Sequence, residues 1–423
     1  MFCLDFLWVQ MNGVGGFPKN SVDIPPPNRY NSIVHFINNR EVAIFMEIRL
    51  LRPEEAEKHF RCSAISFIWP LDITTETLSD DPRMGVFDDD GTLMAELTFV
   101  PHEVTYCGNT LTTVMIDEVI SLPANRRKGC IRKLFEELEK MAPQEQWDIG
   151  TLNPFSWSYY RKFGYDRALS VMSLNVPIRS LERFERSCDV KLNEGALTED
   201  LRRLYNDFCQ NQHLKFLRPD GKRYQENPYG TCEYTYIWYD KSGAPRSYVI
   251  YNVDRSQCTV RVKEIIYDSP ESLAGILGFL RNHDGQTDFV DFDELPVGSP
   301  LDVVLGDYDC SKVSVRGDLA GRVYNLQSVL ERNSYPQEHG AFRLLSHDSM
   351  AQNNGLFEVE YQNGKAQVSR INSGAPDIEV TPIAAARLLL SGEGFTADSA
   401  RFIEGATLHN DAKGFFAARF GTL

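Results

Sequence analysis

The stretch that decides the fold is Val119-Ile120-Ser121-Leu122-Pro123-Ala124-Asn125-Arg126-Arg127-Lys128-Gly129-Cys130-Ile131-Arg132. Its apolar first part continues a segment rich in Thr, Val and Ile, which predicts a strand from Leu111 to Leu122. After Gly129, apolar residues recur at steps of three and four from Ile131 to Met141, a spacing typical of an amphipathic helix. The sequence therefore predicts a strand, a basic loop and a helix in direct succession.

The predicted loop has the chemistry of an anion-binding site. A helix N-terminus exposes unpaired N–H groups and the positive end of the helix dipole. Gly129 allows the backbone to approach a ligand closely, and Arg126, Arg127 and Lys128 add positive charge. Many helices also begin with solvated cations that bind nothing, and the loop alone does not exclude that alternative.

A second motif after the next predicted strand supports the binding interpretation. It is Asn153-Pro154-Phe155-Ser156-Trp157-Ser158-Tyr159-Tyr160-Arg161-Lys162-Phe163-Gly164-Tyr165. In this order the two motifs resemble those of the GNAT N-acetyltransferase superfamily. Ile131 is a departure, because the superfamily usually has a second small residue there. The variant loop, the Tyr-x-x-Phe-Gly-Tyr ending and the three-unit length resemble the enhanced intracellular survival (Eis) family. This resemblance covers residues Met46 to Leu423. It rests on specific motifs in the first unit and only on the layout of the chain in the other two.

The resemblance implies a fold class of α+β or α/β, with tandem GNAT-like domains whose mixed central sheets are flanked by helices. Residues 1–45 are expected to be an extension outside the core fold, and 46–178 the catalytic domain. Residues 179–299 are expected to form a degenerate GNAT-like domain, and 300–423 a sterol-carrier-protein-like α+β domain.

A weak internal repeat agrees with the degenerate second domain. Glu264-Ile265-Ile266-Tyr267 precedes a proline and an apolar helix, as Glu118-Val119-Ile120-Ser121 does. Asp268, Ser269 and Glu271 stand where the first copy has its cations. Because these residues would repel a pyrophosphate, we expect the second copy to be structural, although two strand-loop-helix units can also be similar by chance.

The resemblance also implies acetyl-CoA as co-substrate and a set of residues that contact it. Backbone groups of Val119, Ile120 and Ser121 are expected to hold the pantetheine arm and polarise the thioester carbonyl. The pyrophosphate is expected to lie against Arg127, Lys128, Gly129, Cys130, Ile131 and Arg132, and the opposite wall to be formed by Phe155 and Ser156.

Amide formation needs a general acid for the leaving thiolate and a base for the amine, whose ordinary pKa is about 10.4. The resemblance implies Tyr160 as the acid, whereas core packing is the alternative role for any tyrosine of this motif. It implies the terminal α-carboxylate, here that of Leu423, as the base. The family usually ends in phenylalanine, so Leu423 is a departure. We expect the aromatic tail around Phe415 and Phe420 to be packed. The alternative is that this tail has only a structural role and supplies no base.

Composition restricts the remaining function classes. The chain has 44 basic and 59 acidic residues, a formal net charge of −15. This charge disfavours binding to nucleic acid and anionic membranes and favours cationic substrates; alternatively, the acidity serves only solubility.

The nine cysteines are odd in number and never in a Cys-x-x-Cys pair, which argues against a disulfide framework and a zinc site. The eight histidines show no metal-ligand spacing. We expect a soluble cytoplasmic protein without a metal.

These observations predict an enzyme that acetylates a primary amine of an aminoglycoside-, polyamine- or lysine-like substrate. Two alternatives stay open: a GNAT enzyme for another acyl-CoA or a protein amine, and a non-catalytic scaffold whose C-terminal unit binds a lipid or a partner. The resemblance further implies a homo-oligomer, specifically a hexamer.

Overall fold

The structure, a computed structural model, describes residues 33–39, 42–68, 79–193, 198–219, 234–306, 310–418 and 420. In these ranges, no helix is both long and apolar enough to cross a lipid bilayer. Leu423 lies outside the described residues, as do residues 1–32 of the predicted N-terminal extension.

One large sheet dominates the described part of the chain. Its thirteen strands are β1 (Ile33–Asn39), β2 (Val42–Leu50), β3 (Arg83–Phe87), β4 (Leu93–Tyr106), β5 (Asn109–Ser121), β6 (Ile149–Leu152), β7 (Asp166–Pro177), β8 (Val190–Asn193), β9 (Tyr234–Tyr239), β10 (Pro245–Asp254), β11 (Thr259–Tyr267), β12 (Phe289–Pro296) and β13 (Lys312–Val323). They lie in the order β1-β2-β3-β4-β5-β6-β13-β7-β12-β11-β10-β9-β8. The sheet is mixed, because antiparallel pairs surround two parallel pairs, β5 with β6 and β11 with β12.

Helices connect the strands of each parallel pair, as a parallel crossover requires. The helices up to residue 305 are α1 (Ala56–Phe67), α2 (Cys130–Glu145), α3 (Trp157–Tyr160), α4 (Glu199–Cys209), α5 (Pro270–Leu280) and α6 (Pro300–Leu305). Helix α2 joins β5 to β6, and α5 joins β11 to β12. The predicted strand-loop-helix succession is confirmed, and the apolar stripe of α2 is buried.

Strand β13 comes from beyond residue 300 but lies inside the sheet of the first unit. Its Ala320–Val323 end pairs antiparallel with β6, and Gly321 and residues before it pair with β7. The first sheet is therefore completed by chain that is distant in sequence. At the other end of the sheet, β1 pairs antiparallel with β2, so residues 33–39 extend its edge. The predicted unit limits at 45, 178 and 299 stay predictions.

A buried arginine on β13 forms ion pairs both with helix α2 and with the C-terminal part of the chain. Arg322 is 1% exposed and donates to both carboxylate oxygens of Asp348, at 2.7 and 2.8 Å. It also donates to Glu139 of α2 at 3.2 Å. Because α2 begins at the basic loop, this network holds the second half of that helix against the C-terminal part of the chain.

The C-terminal part forms a second, smaller sheet. Its strands are β14 (Gly340–Ser346), β15 (Gly355–Gln362), β16 (Lys365–Ile371), β17 (Ile378–Val380) and β18 (Ala406–Leu408), in the order β16-β15-β14-β17-β18. Its helices are α7 (Leu326–Glu331), α8 (Pro382–Leu390), α9 (Ala397–Ala400) and α10 (Lys413–Ala417). Phe415 and Phe420 are 1% and 6% exposed in its core, which confirms that the aromatic tail is packed as far as it is described.

Candidate active site

A groove opens where β5 and β6 separate. Strand β6 pairs with β5 only from Thr113 to Ile116 and ends at Leu152, whereas β5 continues to Ser121. Residues 117–121 are therefore bonded to β4 on one side and have no strand partner on the other among the described residues. Their free backbone groups form the edge to which an extended ligand can bind.

A β-bulge shapes this edge. Between the pairs Thr98–Asp117 and Glu96–Ile120, one residue of β4 lies opposite two residues of β5. The first of the two, Glu118, has a φ of 49°, and its N–H donates to Asp117 Oδ1 at 2.7 Å. Because a bulge bends and twists a strand, β5 turns away from β6 at the point where their pairing ends.

The basic loop follows directly and leaves the start of α2 open. The N-cap residue Gly129 has a φ of 86°, and no side chain caps the helix. A Cβ at Gly129 would meet nothing within 4 Å, so the surface of the loop is free at this point. Arg127 also has a positive φ, of 65°. The first N–H groups of α2 therefore remain available to a ligand.

The cations of the loop face solvent rather than carboxylates. Arg126, Arg127 and Lys128 are all exposed, and in the described part of the chain none of them forms an ion pair. Lys128 Nζ donates to Asn125 Oδ1 at 2.7 Å, which holds that side chain across the loop. The guanidinium of Arg132, in the first turn of the helix, lies 5.8 Å from the ring centroid of Phe163. This positive charge is available to bind an anion.

Aromatic side chains form the second wall. Helix α3 is capped by Ser156, whose Oγ accepts from Tyr159 N at 3.4 Å. Tyr160 ends this helix and is 3% exposed; its ring packs edge-on against Phe135 of α2 and against Phe155, at centroid distances of 6.2 and 5.3 Å. Phe155 itself is 66% exposed. An exposed aromatic side chain beside a groove is suited to contact with a ligand.

The structure brings most of the predicted site residues of the described ranges together. Cys130, Ile131 and Tyr160 belong to one buried cluster, and Val119 packs against it. Ile120 points to the opposite face of the sheet, where α1 lies. Leu423 is outside the described residues, so its role as a base stays a prediction.

Sequence reasoning missed a set of charged residues on the α1 face of the same groove. Glu96, 1% exposed, lies with its Oε1 3.1 Å from His59 Nδ1. Glu118 accepts from Arg83 at 3.3 Å and from Thr98 at 2.7 Å. The one available signal was a glutamate inside the apolar run 93–100, because an acidic residue is seldom buried without a partner.

Comparison with protein-family models identifies the two units that each contain a parallel strand pair. Residues 47–168 match a model described as an acetyltransferase (GNAT) domain, and 215–323 match a second model of the same description. The chain carries two GNAT acetyltransferase domains. The protein is therefore an acyltransferase, and GNAT domains use acetyl-CoA as co-substrate and an amine as acceptor. The second match reaches 323 and so includes β13.

Solved structures share the tandem GNAT architecture over nearly their whole length. A probable N-acyltransferase from Enterococcus faecalis V583 has a TM-score of 0.73 at 18% identity, covering 88% of this chain and 96% of its own. A GCN5-related N-acetyltransferase from Anabaena variabilis ATCC 29413 has a TM-score of 0.74 at 19% identity, covering 89% and 97%. Eis1 from Mycobacterium abscessus has a TM-score of 0.71 at 18% identity, covering 88% and 97%. No curated protein matches the sequence. At these identities the likeness is one of fold.

Proposed function

We propose that the first GNAT domain transfers the acetyl group of acetyl-CoA to a primary amine of a cationic substrate, of the aminoglycoside, polyamine or lysine kind. The observation that carries the proposal is the uncapped start of α2, where Gly129 and the exposed Arg127 and Lys128 meet the open edge of β5. Anions bind at helix N-termini of this kind. An amine acceptor suits a chain with a net charge of −15.

In the proposed complex, the coenzyme occupies the groove from the basic loop to the bulge. Arg127, Lys128 and Arg132, with the backbone of residues 129–131, bind the pyrophosphate. The pantetheine arm lies along Val119, Ile120 and Ser121, whose free backbone groups are those left unpaired by β6. Phe155 and Ser156 contact it from the other wall. One N–H of this β5 edge polarises the thioester carbonyl, which lowers the cost of the oxyanion.

The chemistry proposed is a direct transfer. The neutral amine attacks the thioester carbon, a C–N bond forms, and the C–S bond breaks with its electron pair on sulfur. Tyr160 gives its phenolic proton to that thiolate. Since the ordinary pKa of a phenol, about 10, exceeds that of a thiol, about 8.5, the transfer depends on close positioning, which the aromatic packing of Tyr160 supplies. The α-carboxylate of Leu423 takes the proton of the amine, directly or through water.

The C-terminal unit has a supporting role in this proposal. Its five-stranded sheet with flanking helices is compatible with the sterol-carrier-protein-like domain that the Eis resemblance implies. Phe415 and Phe420 are packed in that core. We further propose a reducing, cytoplasmic location, which the nine scattered cysteines of the sequence, never in a Cys-x-x-Cys pair, favour, and a homo-oligomer, by resemblance a hexamer.

The direct test is turnover of acetyl-CoA against a panel of amines, with the acetylated products identified by a mass increase. Products acetylated on a primary amine support the proposal. Acetyl-CoA that binds without turnover on any amine, or that does not bind in calorimetry, contradicts it.

The base assignment has a separate test. Residues appended after Leu423 move the negative charge away, so turnover should fall by roughly tenfold or more. The matched control is the same tag placed before Met1. Normal turnover of the C-terminally extended protein would remove Leu423 from the mechanism and leave the rest of the proposal intact.

A further inference from the structure

The α1 face of the sheet carries a group of carboxylates at the point where β5 leaves β6. The register of β4 and β5 sets Thr98 opposite Asp117 and Glu96 opposite Ile120. Residues opposite each other on antiparallel strands point to the same face. The contact of Glu96 with His59 of α1 identifies that face. Asp117 and Glu96 therefore lie on the side of the sheet away from α2 and its cations.

The negative charge on this face exceeds the positive charge. Arg83 is bonded to Glu118 and balances it. His59 balances Glu96 only when protonated. The remaining carboxylate, Asp117, accepts the N–H of Glu118 and forms no ion pair among the described residues. Arg83 acts electrostatically on Asp117 and Glu96 as well, so one arginine serves three carboxylates and the face keeps an excess of negative charge.

Two buried polar atoms, one on β4 and one on α1, lack partners. Glu96 Oε2 and Ser63 Oγ have no hydrogen bond within the described ranges, and both residues are 1% exposed. Ser63 follows His59 by four residues, so both lie on the face of α1 that covers β4 and β5. A buried acceptor without a donor costs free energy. The Ser63 hydroxyl can donate or accept, whereas an ionised Glu96 Oε2 only accepts, so an ammonium group, with three donors and no acceptor, can satisfy both atoms.

The titration of the carboxylates agrees with a site prepared for a cation. Burial raises the pKa of Asp117 to about 6, and burial likewise raises the pKa of Glu96. The charged groups that act on them are His59 on α1, Asp81 and Arg83 at the start of β3, and Glu118 on β5. A cation that binds here stabilises the ionised carboxylates and offsets the cost of their burial.

The cluster is within reach of the proposed thioester position. Asp117 is the first residue of β5 after its pairing with β6 ends at Ile116. Asp117 and Ile120 flank the bulge, and their partners Thr98 and Glu96 are two residues apart on β4, so they are separated by about 7 Å along the sheet. An aliphatic diamine of four or five carbons has about this length when extended.

We propose that Asp117 and Glu96 form an acceptor subsite that binds the ammonium group of a diamine or polyamine that is not acetylated, while its other amine attacks the thioester. This inference rests on the proposed function and adds to it the identity of the substrate class. The first GNAT domain then selects acceptors by a second positive charge at a set distance, with the coenzyme on the α2 side of the groove and the free ammonium on the α1 side.

The test compares cadaverine with pentylamine, which have the same carbon chain and differ by one ammonium group. The wild-type kcat/KM should favour cadaverine by about tenfold, the size of one hydrogen-bonded charge contact. Asp117→Asn should remove most of that preference without changing the KM for acetyl-CoA. The matched control is Asp90→Asn in the exposed β3–β4 turn, which should keep the preference.

A second measurement does not depend on the variant. Cadaverine without coenzyme should raise the Tm of the wild-type protein more than pentylamine at equal concentration and ionic strength. Equal kcat/KM for the two amines, an equal Tm rise, or a preference that survives in Asp117→Asn would overturn the subsite while the acetyltransferase proposal stands. Absence of turnover with every amine would overturn both.

Discussion

The two GNAT domains repeat one unit with opposite chemistry at the start of its helix. In each, a strand leads through a short loop into a helix and on to a parallel strand, β5–α2–β6 and β11–α5–β12. Helix α2 begins at the uncapped Gly129, with no acidic residue in its first turn. Helix α5 begins at the capped Ser269, with Pro270 and Glu271 in its first turn.

The second helix start satisfies its own backbone. Ser269 Oγ accepts from Ser272 N at 3.2 Å, and Ser272 Oγ donates to Asp268 Oδ1 at 3.0 Å. Since these side chains occupy the N–H groups and supply negative charge, an anion has neither donors nor attraction there. The same fold thus has an uncapped, basic helix start in one copy and a capped, acidic helix start in the other.

Charge reversal at the open helix start should have the largest effect. Arg127→Glu with Lys128→Glu replaces attraction by repulsion, so acetyl-CoA affinity should fall by at least about 100-fold, at ~1.5–3 kcal/mol for each charged hydrogen bond. Isothermal calorimetry measures it. The control, Arg203→Glu with Lys241→Glu, makes the same change of net charge at exposed positions of the second unit. Unchanged affinity in the first variant would refute the coenzyme site.

Tyr160→Phe should lower kcat by roughly tenfold or more because it removes the proposed proton donor and keeps the ring that packs against Phe135 and Phe155. The KM for acetyl-CoA should change little. Steady-state kinetics measures both. Tyr159→Phe, one residue earlier in the same helix, is the control. If both variants lost activity equally, packing rather than proton transfer would explain the effect.

Acidification should weaken the attachment of the second domain. Burial lowers the pKa of the partly buried His213 to about 4, and its Nε2 lies 2.5 Å from Leu390 O. As pH falls, the imidazole of the unfolded chain is protonated near pH 6.5, whereas that of the folded chain is protonated only near pH 4. The contribution of neutral His213 to the free energy of unfolding is therefore fully present above pH 6.5 and is lost as pH falls toward 4. We expect a loss of about 1–2 kcal/mol, measured by urea unfolding at the two ends of this range.

His213→Gln is the matched variant for that experiment, because its amide cannot titrate. Its unfolding free energy should depend less on pH than that of the wild type. An identical pH dependence in both proteins would assign the acid sensitivity to other groups.

Single substitutions at the starts of α2 and α5 should distinguish an effect on coenzyme binding from an effect on folding stability. Their effects should be smaller than those of the preceding variants. Gly129→Ala places a side chain in a left-handed conformation, which costs ~1–2 kcal/mol, and should weaken acetyl-CoA binding. Ser269→Ala removes a cap and should lower the unfolding free energy by ~1 kcal/mol without affecting coenzyme affinity. Calorimetry and denaturant unfolding of both variants measure the contrast, and a loss of affinity in Ser269→Ala would contradict a purely structural second helix.

The first strand-loop-helix unit was predictable from the sequence because its pattern of apolar residues lies within one short segment. The periodicity of the apolar stripe of α2 and the apolar strand before it both agree with the structure. The position of β13 was not predictable, since nothing local in 312–323 specifies pairing with β6 and β7. The charges of Glu96 and His59 were also missed, because their meeting depends on where α1 packs.

The sequence by itself determined which helix start is basic, which is acidic and where each strand-loop-helix unit begins, since these depend on neighbouring residues and on short-range periodicity. Only the tertiary structure decided that β5 separates from β6 beyond Ile116, that β13 completes the sheet, and that Asp117 and Glu96 share one face. Strand register and helix packing join residues distant in the chain, and they are set by the burial of whole faces rather than by any single segment.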